Sequence, residues 1–265
     1  MKINIYSVIS WVTFLLSSCA FPHYYYSPNI QNVPLFTEQS VFSGDFAGSV
    51  GAVNNSLEGQ AGLSLPSHVA LTTNFMTGGT KHERDNISDI SKVGYFEGAA
   101  GYYTLFKDVG VFEVYGGYGK GSQHHTFAYK EYNAPLDWTW IRDGTADMSF
   151  SKLFIQPDIG YKTKWFEGAF SCRLTKLNFR SIEFRSTIHR LDELNTLKQN
   201  PDPWLLEPAF TFRGGSKSVK FQIQIISSRS LSNTDLLFED LRFSIGLHFN
   251  LSEIQSENND PNTPR

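Results

Sequence analysis

The chain has 265 residues, of which 40% are hydrophobic, 15% aromatic and 18% charged. Low charge with high aromatic content excludes a wholly disordered chain, and a net charge of −3 gives a nucleic-acid partner no electrostatic support. A mean hydropathy of −0.28 excludes a bundle of membrane helices, while 22 Phe, 12 Tyr and 21 Gly fit β-sheet.

Lys2 is the only charge ahead of an apolar run from Ile3 to Leu16. A basic start and an apolar stretch too short for a permanent span form a secretory signal. The run ends in Leu16-Ser17-Ser18-Cys19, which resembles the lipobox of bacterial lipoprotein signal peptides: an aliphatic residue, two small residues, then Cys. That resemblance implies cleavage between Ser18 and Cys19, a diacylglycerol on the Cys19 thiol, and an acyl chain such as palmitate on the new N-terminus. Two or more chains make a stable anchor where one is marginal. Residues 1–18 are then the signal peptide. Ala20 stands where an Asp would retain the lipoprotein in the inner membrane of some bacteria. The competing reading is an ordinary secretory signal with a chance cysteine. The second cysteine, Cys172, has no intramolecular partner once Cys19 is acylated.

Residues 19–40 follow as a Pro- and Asn-rich stretch, punctuated by Pro22, Pro28, Asn29, Asn32 and Pro34. Proline at this density opposes helix and strand, so the stretch reads as a lipidated tether. Tyr24, Tyr25 and Tyr26 either lie at headgroup level or pack on the folded domain. Pro28 to Phe36 resembles a stretch found after the lipidated cysteine in poorly characterised outer-membrane lipoproteins with a predicted barrel; no activity comes with that resemblance.

From residue 41 to 251 the sequence alternates with period two, the pattern of strands. Phe42, Phe46 and Val50 oppose Ser43, Asp45 and Ser49; Leu57 and Leu63 oppose Glu58 and Gln60. Val69, Leu71 and Phe75 share a side. Phe96, Tyr102 and Phe106 oppose Glu97, and Phe112, Val114 and Tyr118 oppose Glu113. Leu153, Ile155 and Ile159 oppose Lys152, Gln156 and Asp158; Phe166 and Phe170 oppose Glu167 and Arg173. Leu206, Phe210 and Phe212 oppose Glu207 and Arg213, and Phe221, Ile223 and Ile225 oppose Lys220, Gln222 and Gln224. The last run sets Phe243, Ile245, Leu247 and Phe249 against Arg242, Ser244 and His248.

Ten such runs fit either a soluble sandwich or a membrane barrel. Connection lengths favour the barrel. The links at Leu65-Pro66-Ser67, Lys107-Asp108, Lys162-Thr163 and Gly214-Gly215-Ser216 are short, while those at 77–93, 121–146 and 178–203 read as long loops, with 227–237 intermediate and Asn54-Asn55-Ser56 the one short link on that side. Short turns at one end and long loops at the other are the layout of outer-membrane barrels. Ser244 to Leu251 resembles the β-signal in the last strand of such barrels, although a polar tail, 252–265, follows and is expected to be disordered. Pro157 and Pro208 stand against a closed barrel unless each marks a bulge or a strand boundary, and the first three runs are thin in large apolar residues. The expected fold is all-β: an antiparallel up-and-down β-barrel of about ten strands, of outer-membrane type.

In that barrel Phe221, Ile223, Phe243, Ile245 and Phe249 face lipid. The polar lumen-facing candidates are Glu97, Glu113, Asp158, Glu167, Arg173 and Arg242, with Asp45, Glu58, Glu207, Asp240, Lys152, Arg213 and Lys220 beside them. Mixed signs imply a salt-bridged interior filled by side chains, with little room for an aqueous pore. His124 and His125 stand at the expected rim, but neighbours on a strand point to opposite faces and chelate a metal poorly. His82, Asp85, Asp89, His189, Asp192 and Glu193 fall in the expected loops, as do Tyr132, Trp138 and Trp140, which would suit a binding face or cover the mouth. No nucleophile, Walker, zinc-finger or EF-hand motif occurs, so no catalytic residue, metal or cofactor is assigned. The expected role is structural or interactive at the outer membrane, with membrane lipid, lipoprotein-processing machinery and barrel-assembly machinery as partners. The alternatives are a lipid-tethered soluble β-domain holding an apolar ligand and a rim-site hydrolase.

Overall fold

The computed structural model describes residues 25–37, 41–51, 55–84, 87–107, 109–133, 137–186, 198–199, 201–232 and 238–250. The strands are β1 (Phe42–Gly51), β2 (Asn55–Ser64), β3 (Val69–Arg84), β4 (Ile87–Phe106), β5 (Gly110–Asn133), β6 (Asp137–Lys162), β7 (Phe166–Ser186), β8 (Trp204–Gly215), β9 (Val219–Ser227), the two-residue β10 (Arg229–Ser230) and β11 (Leu241–Asn250). Each long strand pairs antiparallel with its sequence neighbour. The ring closes where β8 meets β9 and where β1 meets β11, with Phe46 opposite Leu247 and Val50 opposite Phe243. β10 continues the line of β9 along β8. The result is a closed up-and-down barrel of ten long strands.

The wall is inside-out relative to a water-soluble protein. Phe46, Leu153 and Ile245 are 56%, 60% and 57% exposed, whereas Glu58, Lys152 and Arg242 are fully buried. This is the period-two pattern with its apolar face turned outward, as in barrels of outer-membrane type. Phe42, Phe106, Tyr161, Trp165 and Phe166 gather on the outer surface near the tight turns. Toward the other end Trp204 is exposed, with Lys176 Nζ 5.6 Å from its ring. Exposed aromatics at these two levels fit the two interfaces of a bilayer. Between them β8 is 12 residues long, close to the ~9–11 residues a tilted strand needs to span the hydrocarbon.

β5 and β6 run to 24 and 26 residues, well beyond that need. Much of what reads from sequence as long loops is therefore paired strand. β3 and β4 pair up to Arg84 opposite Ile87, and β5 and β6 up to Asn133 opposite Asp137. Pro157 and Pro208 mark neither bulges nor strand ends. The β6–β7 pairing passes from Ile155↔Leu174 to Asp158↔Ser171 in unchanged register, with no pair between. The ladder beyond β8 passes from Leu206↔Arg229 to Ala209↔Ile226 in the same way. Each proline, lacking its N–H, lies at a gap on one side of its strand and leaves the register intact.

Residues 25–36 do not form a tether outside the barrel. All of them are buried, from Tyr25 and Tyr26 at 2% to Ile30 and Val33 at 0%, and they run lengthwise through the lumen. Of the two sequence readings of the tyrosines, Tyr25 and Tyr26 follow the packed one. Residues 1–24, 38–40 and 251–265, with Ser18, Cys19 and the tail, lie outside the described residues.

Candidate functional site in the lumen

The candidate site is the lumen with its own chain as occupant. A segment without a strand partner must satisfy its backbone in some other way if it is to be buried. Here side chains of the wall do so. Ile30 N–H donates to Glu58 Oε2 at 2.8 Å, and the Ile30 carbonyl accepts from Asn74 Nδ2 at 2.6 Å and Gln60 Nε2 at 3.1 Å. Gln224 pairs with Gln31 as a strand residue would: Gln31 N–H donates to its Oε1 at 2.7 Å, and its Nε2 donates to the Gln31 carbonyl at 2.9 Å. The carbonyls of Asn32, Val33 and Leu35 accept from Gln156 Nε2, Arg213 Nη1 and Lys162 Nζ at 2.9, 2.8 and 2.8 Å.

Glu113 takes two backbone groups at once. Leu35 N–H and Phe36 N–H donate to its two carboxylate oxygens at 3.1 and 2.8 Å. Leu35 has φ 52°, in the left-handed region that a branched side chain avoids. That conformation turns consecutive N–H groups toward one anion.

The segment's side chains are fitted as well. Asn29 Nδ2 donates to Glu97 Oε1 at 3.0 Å, while Asn29 Oδ1 accepts from Lys152 Nζ at 2.9 Å and Arg173 Nη1 at 3.2 Å. Tyr26 Oη donates to Glu207 Oε1 at 2.9 Å and accepts from Lys152 Nζ at 3.1 Å. Gln31 Nε2 reaches the Glu207 carbonyl at 2.6 Å, beside the gap at Pro208. Ile30 sits among Ala47, Ala209 and Ile226; Val33 and Leu35 meet Val111 and Ala169. Small inward residues make the room. A Cβ on Gly62 would stand 3.0 Å from the Phe36 ring and 3.1 Å from Pro34, and one on Gly160 would stand 2.5 Å from Leu35 Cδ2.

The lumen-facing candidates are distributed along this channel. Glu97 pairs with Arg173 at 3.1 Å and Lys152 at 3.5 Å, next to a short bond from Tyr95. Arg173 Nε also donates to Gln156 Oε1 at 2.8 Å, and Gln156 Nε2 contacts both oxygens of Asp158 at 3.1 and 3.0 Å. Glu167 meets Arg213 and Lys220, each at 3.0 Å. Arg242 meets Glu239 at 2.8 Å and Glu58 at 3.5 Å, and bonds Ser56. Asp240 departs from expectation: it lies just before β11 and is exposed, and its neighbour Glu239 is the buried acid. Sequence reasoning missed the occupant and several of its holders, among them Gln156, Gln224 and Asn74. Two signals pointed to it. No Asp, Glu, Lys or Arg occurs from Ile3 to Thr37, and some inward positions of the first strands, Ala47 and Gly62 among them, are small.

His124 and His125 lie within β5, above the membrane-spanning part, and diverge. His124 Nδ1 is 2.5 Å from Asp147 Oδ1, and His125 Nδ1 is 3.3 Å from Asp89 Oδ1, with its ring stacked on Phe127. Among the described residues no three His, Cys, Asp or Glu side chains form a metal-binding group. Tyr132 pairs with Trp138 and Lys130 with Trp140 near the tip of the β5–β6 hairpin. Asp85, His189, Asp192 and Glu193 lie outside the described residues. Cys172 is a free thiol, half-buried in the outer wall.

No family model matches the chain, and neither does any curated protein. Among solved structures, the translocator domain of the autotransporter NalP from Neisseria meningitidis aligns at 7% identity over 79% of this chain and 87% of its own, with a TM-score of 0.45. The outer membrane protease OmpT from Escherichia coli aligns at 9% over 80% and 94%, with a TM-score of 0.44. The KdgM porin aligns at 9% over 78% and 98%, with a TM-score of 0.38. These values bear on neither activity nor substrate.

Proposed function

We propose that this chain is a lipid-anchored outer-membrane β-barrel, closed to solutes by its own segment 25–36, that serves structurally or through the surface of its long hairpins. The observation that carries this reading is the seating of the segment: buried along the lumen, with its backbone bonded to wall side chains from Glu58 to Gln224. A charged, occupied lumen also argues against the alternative of an internal apolar-ligand site. The apolar outer face and its girdles support membrane residence. Acylation of Cys19 would add a second hold on the same membrane, and membrane lipid, the lipoprotein-processing enzymes and the barrel-assembly machinery would be its partners. No catalytic role is assigned.

Two measurements test this. Wild-type protein in planar bilayers is expected to be electrically silent; stepwise channel currents at modest voltage would overturn the closed-lumen reading. A Cys19→Ala variant behind a non-lipoprotein signal is expected to stay in the outer-membrane pellet on carbonate extraction. Release as folded soluble protein would instead favour a tethered soluble domain.

A further inference from the structure

The direction of the buried segment fixes where the chain's N-terminal end must lie. At one end, the Tyr26 carbonyl accepts from Glu239 N–H at 3.0 Å, Tyr26 bridges Phe238 in the connection before β11, and Tyr25 packs against His125. That is the mouth bounded by the long hairpins. At the other end, Leu35 and Phe36 lie beside Glu113, Lys162 and Tyr103, and Val41 bonds Ser64 next to the β2–β3 turn. That is the mouth bounded by the tight turns, where β1 begins.

We infer that the acyl chains on Cys19 sit in the leaflet at the long-hairpin mouth, the outer leaflet, so that this lipoprotein is anchored from the cell's exterior. The inference rests on the lipidation and membrane reading above. Six peptide steps lead from Cys19 to Tyr25. Fully extended they reach about 20 Å, at about 3.3–3.6 Å per residue. The opposite leaflet lies beyond a hydrocarbon core of about 30 Å. A path down the lumen is taken by residues 25–36 themselves, and a path along the outer wall would leave unpaired backbone in lipid. The far leaflet is out of reach, which leaves the near one.

The test is labelling of intact cells with a membrane-impermeant maleimide, in a Cys172→Ser background, with cysteines at three positions. His23→Cys reports the N-terminal end, Lys81→Cys the exposed β3–β4 hairpin, and Lys217→Cys a tight turn. The expected result is labelling of positions 23 and 81 in intact cells, with position 217 labelled only after the outer membrane is permeabilised. Labelling at 81 with protection at 23 would overturn the inference while leaving the barrel's orientation standing. Protection at 81 with labelling at 217 would overturn the orientation, and the inference with it. An epitope inserted after Ala20 and probed with antibody on intact cells repeats the test without a new thiol near the lipobox. Mass spectrometry of the N-terminal peptide checks that Cys19 carries lipid in each variant; an unlipidated wild-type N-terminus would overturn the inference.

Discussion

Removing the Glu113 carboxylate should unseat the lower end of the segment without opening the barrel. In Glu113→Ala the N–H groups of Leu35 and Phe36 lose their acceptors, at 3.1 and 2.8 Å, in a place where Glu113 itself is fully buried. A buried donor left without a partner costs about 1–3 kcal/mol, so the two together cost about 2–6 kcal/mol. The left-handed Leu35, φ 52°, adds a standing strain of about 1–3 kcal/mol that the carboxylate now offsets. Hydrogen exchange of the detergent-solubilised barrel, followed on the peptide spanning 30–37, reads this directly. At about 1.4 kcal/mol per decade, protection of these amides should fall about thirtyfold at the low end and about twenty-thousandfold at the high end. Amides of Ile30 and Gln31, held by Glu58 and Gln224, should change little. Glu113→Gln keeps an acceptor oxygen but loses the charge, and should fall between wild type and Ala, because charge-assisted bonds are roughly twice as strong as neutral ones. Protection unchanged within threefold in Glu113→Ala would refute the seating described here.

Three further outcomes follow from the wall and its cradle. Arg173→Met takes from the buried Glu97 its nearest cation, at 3.1 Å, leaving Lys152 at 3.5 Å, and should destabilise the barrel by up to about 3–5 kcal/mol; the heat-modifiability midpoint on gels should drop, and adding Glu97→Gln should restore part of it. Ile245→Arg places a charge on the outer face of β11 and should cost about 2–4 kcal/mol if that face meets lipid, seen as loss of the folded band; normal assembly would count against a lipid-facing wall. Gly160→Val drives side-chain atoms into Leu35, where a Cβ alone would stand 2.5 Å away, and should cost about 1–3 kcal/mol in thermal stability, with Leu35→Ala in the same chain relieving it.

The strands between the girdles were legible because lipid outside and charge inside force a strict two-residue contrast, as from Lys152 to Ile159 or Arg242 to Phe249. Above the membrane that contrast disappears. The stretch from Thr77 to Val93 is polar on both faces, and Val93, Tyr95, Phe127 and Phe150 turn apolar side chains inward around Tyr25 and Tyr26, so paired strand reads as loop. The lumen charges were legible one by one, because each sits opposite an outward apolar residue. Their partners were not, since Glu97, Lys152 and Arg173 come from three strands and meet only on closure. The occupant was misread because Pro28 and Pro34 exclude it from any ladder. Its backbone is satisfied by side chains more than a hundred residues away, as at Gln156 and Gln224, and no local pattern encodes that. Of the Gly and Ala positions of the first strands, which weaken the barrel reading from sequence, Ala47 and Gly62 face inward and leave the space that Ile30, Pro34 and Phe36 fill.

A chain whose leading end passes through its own ring restricts the order of events in making it. The seam is β1 against β11, from Ser43↔Asn250 to Gly51↔Arg242, so the first strand and the last complete the circle. Once that seam has zipped, a terminus acylated as proposed above would have to be drawn through a passage already crowded with arginine and glutamate. On that reading the sheet is expected to curl around a segment already laid across its concave face, with the final hydrogen bonds of the seam forming once the occupant is in place. With the proposed lipid in place, folding would be a wrapping rather than a plugging, and the segment a mandrel for the barrel before it is a stopper.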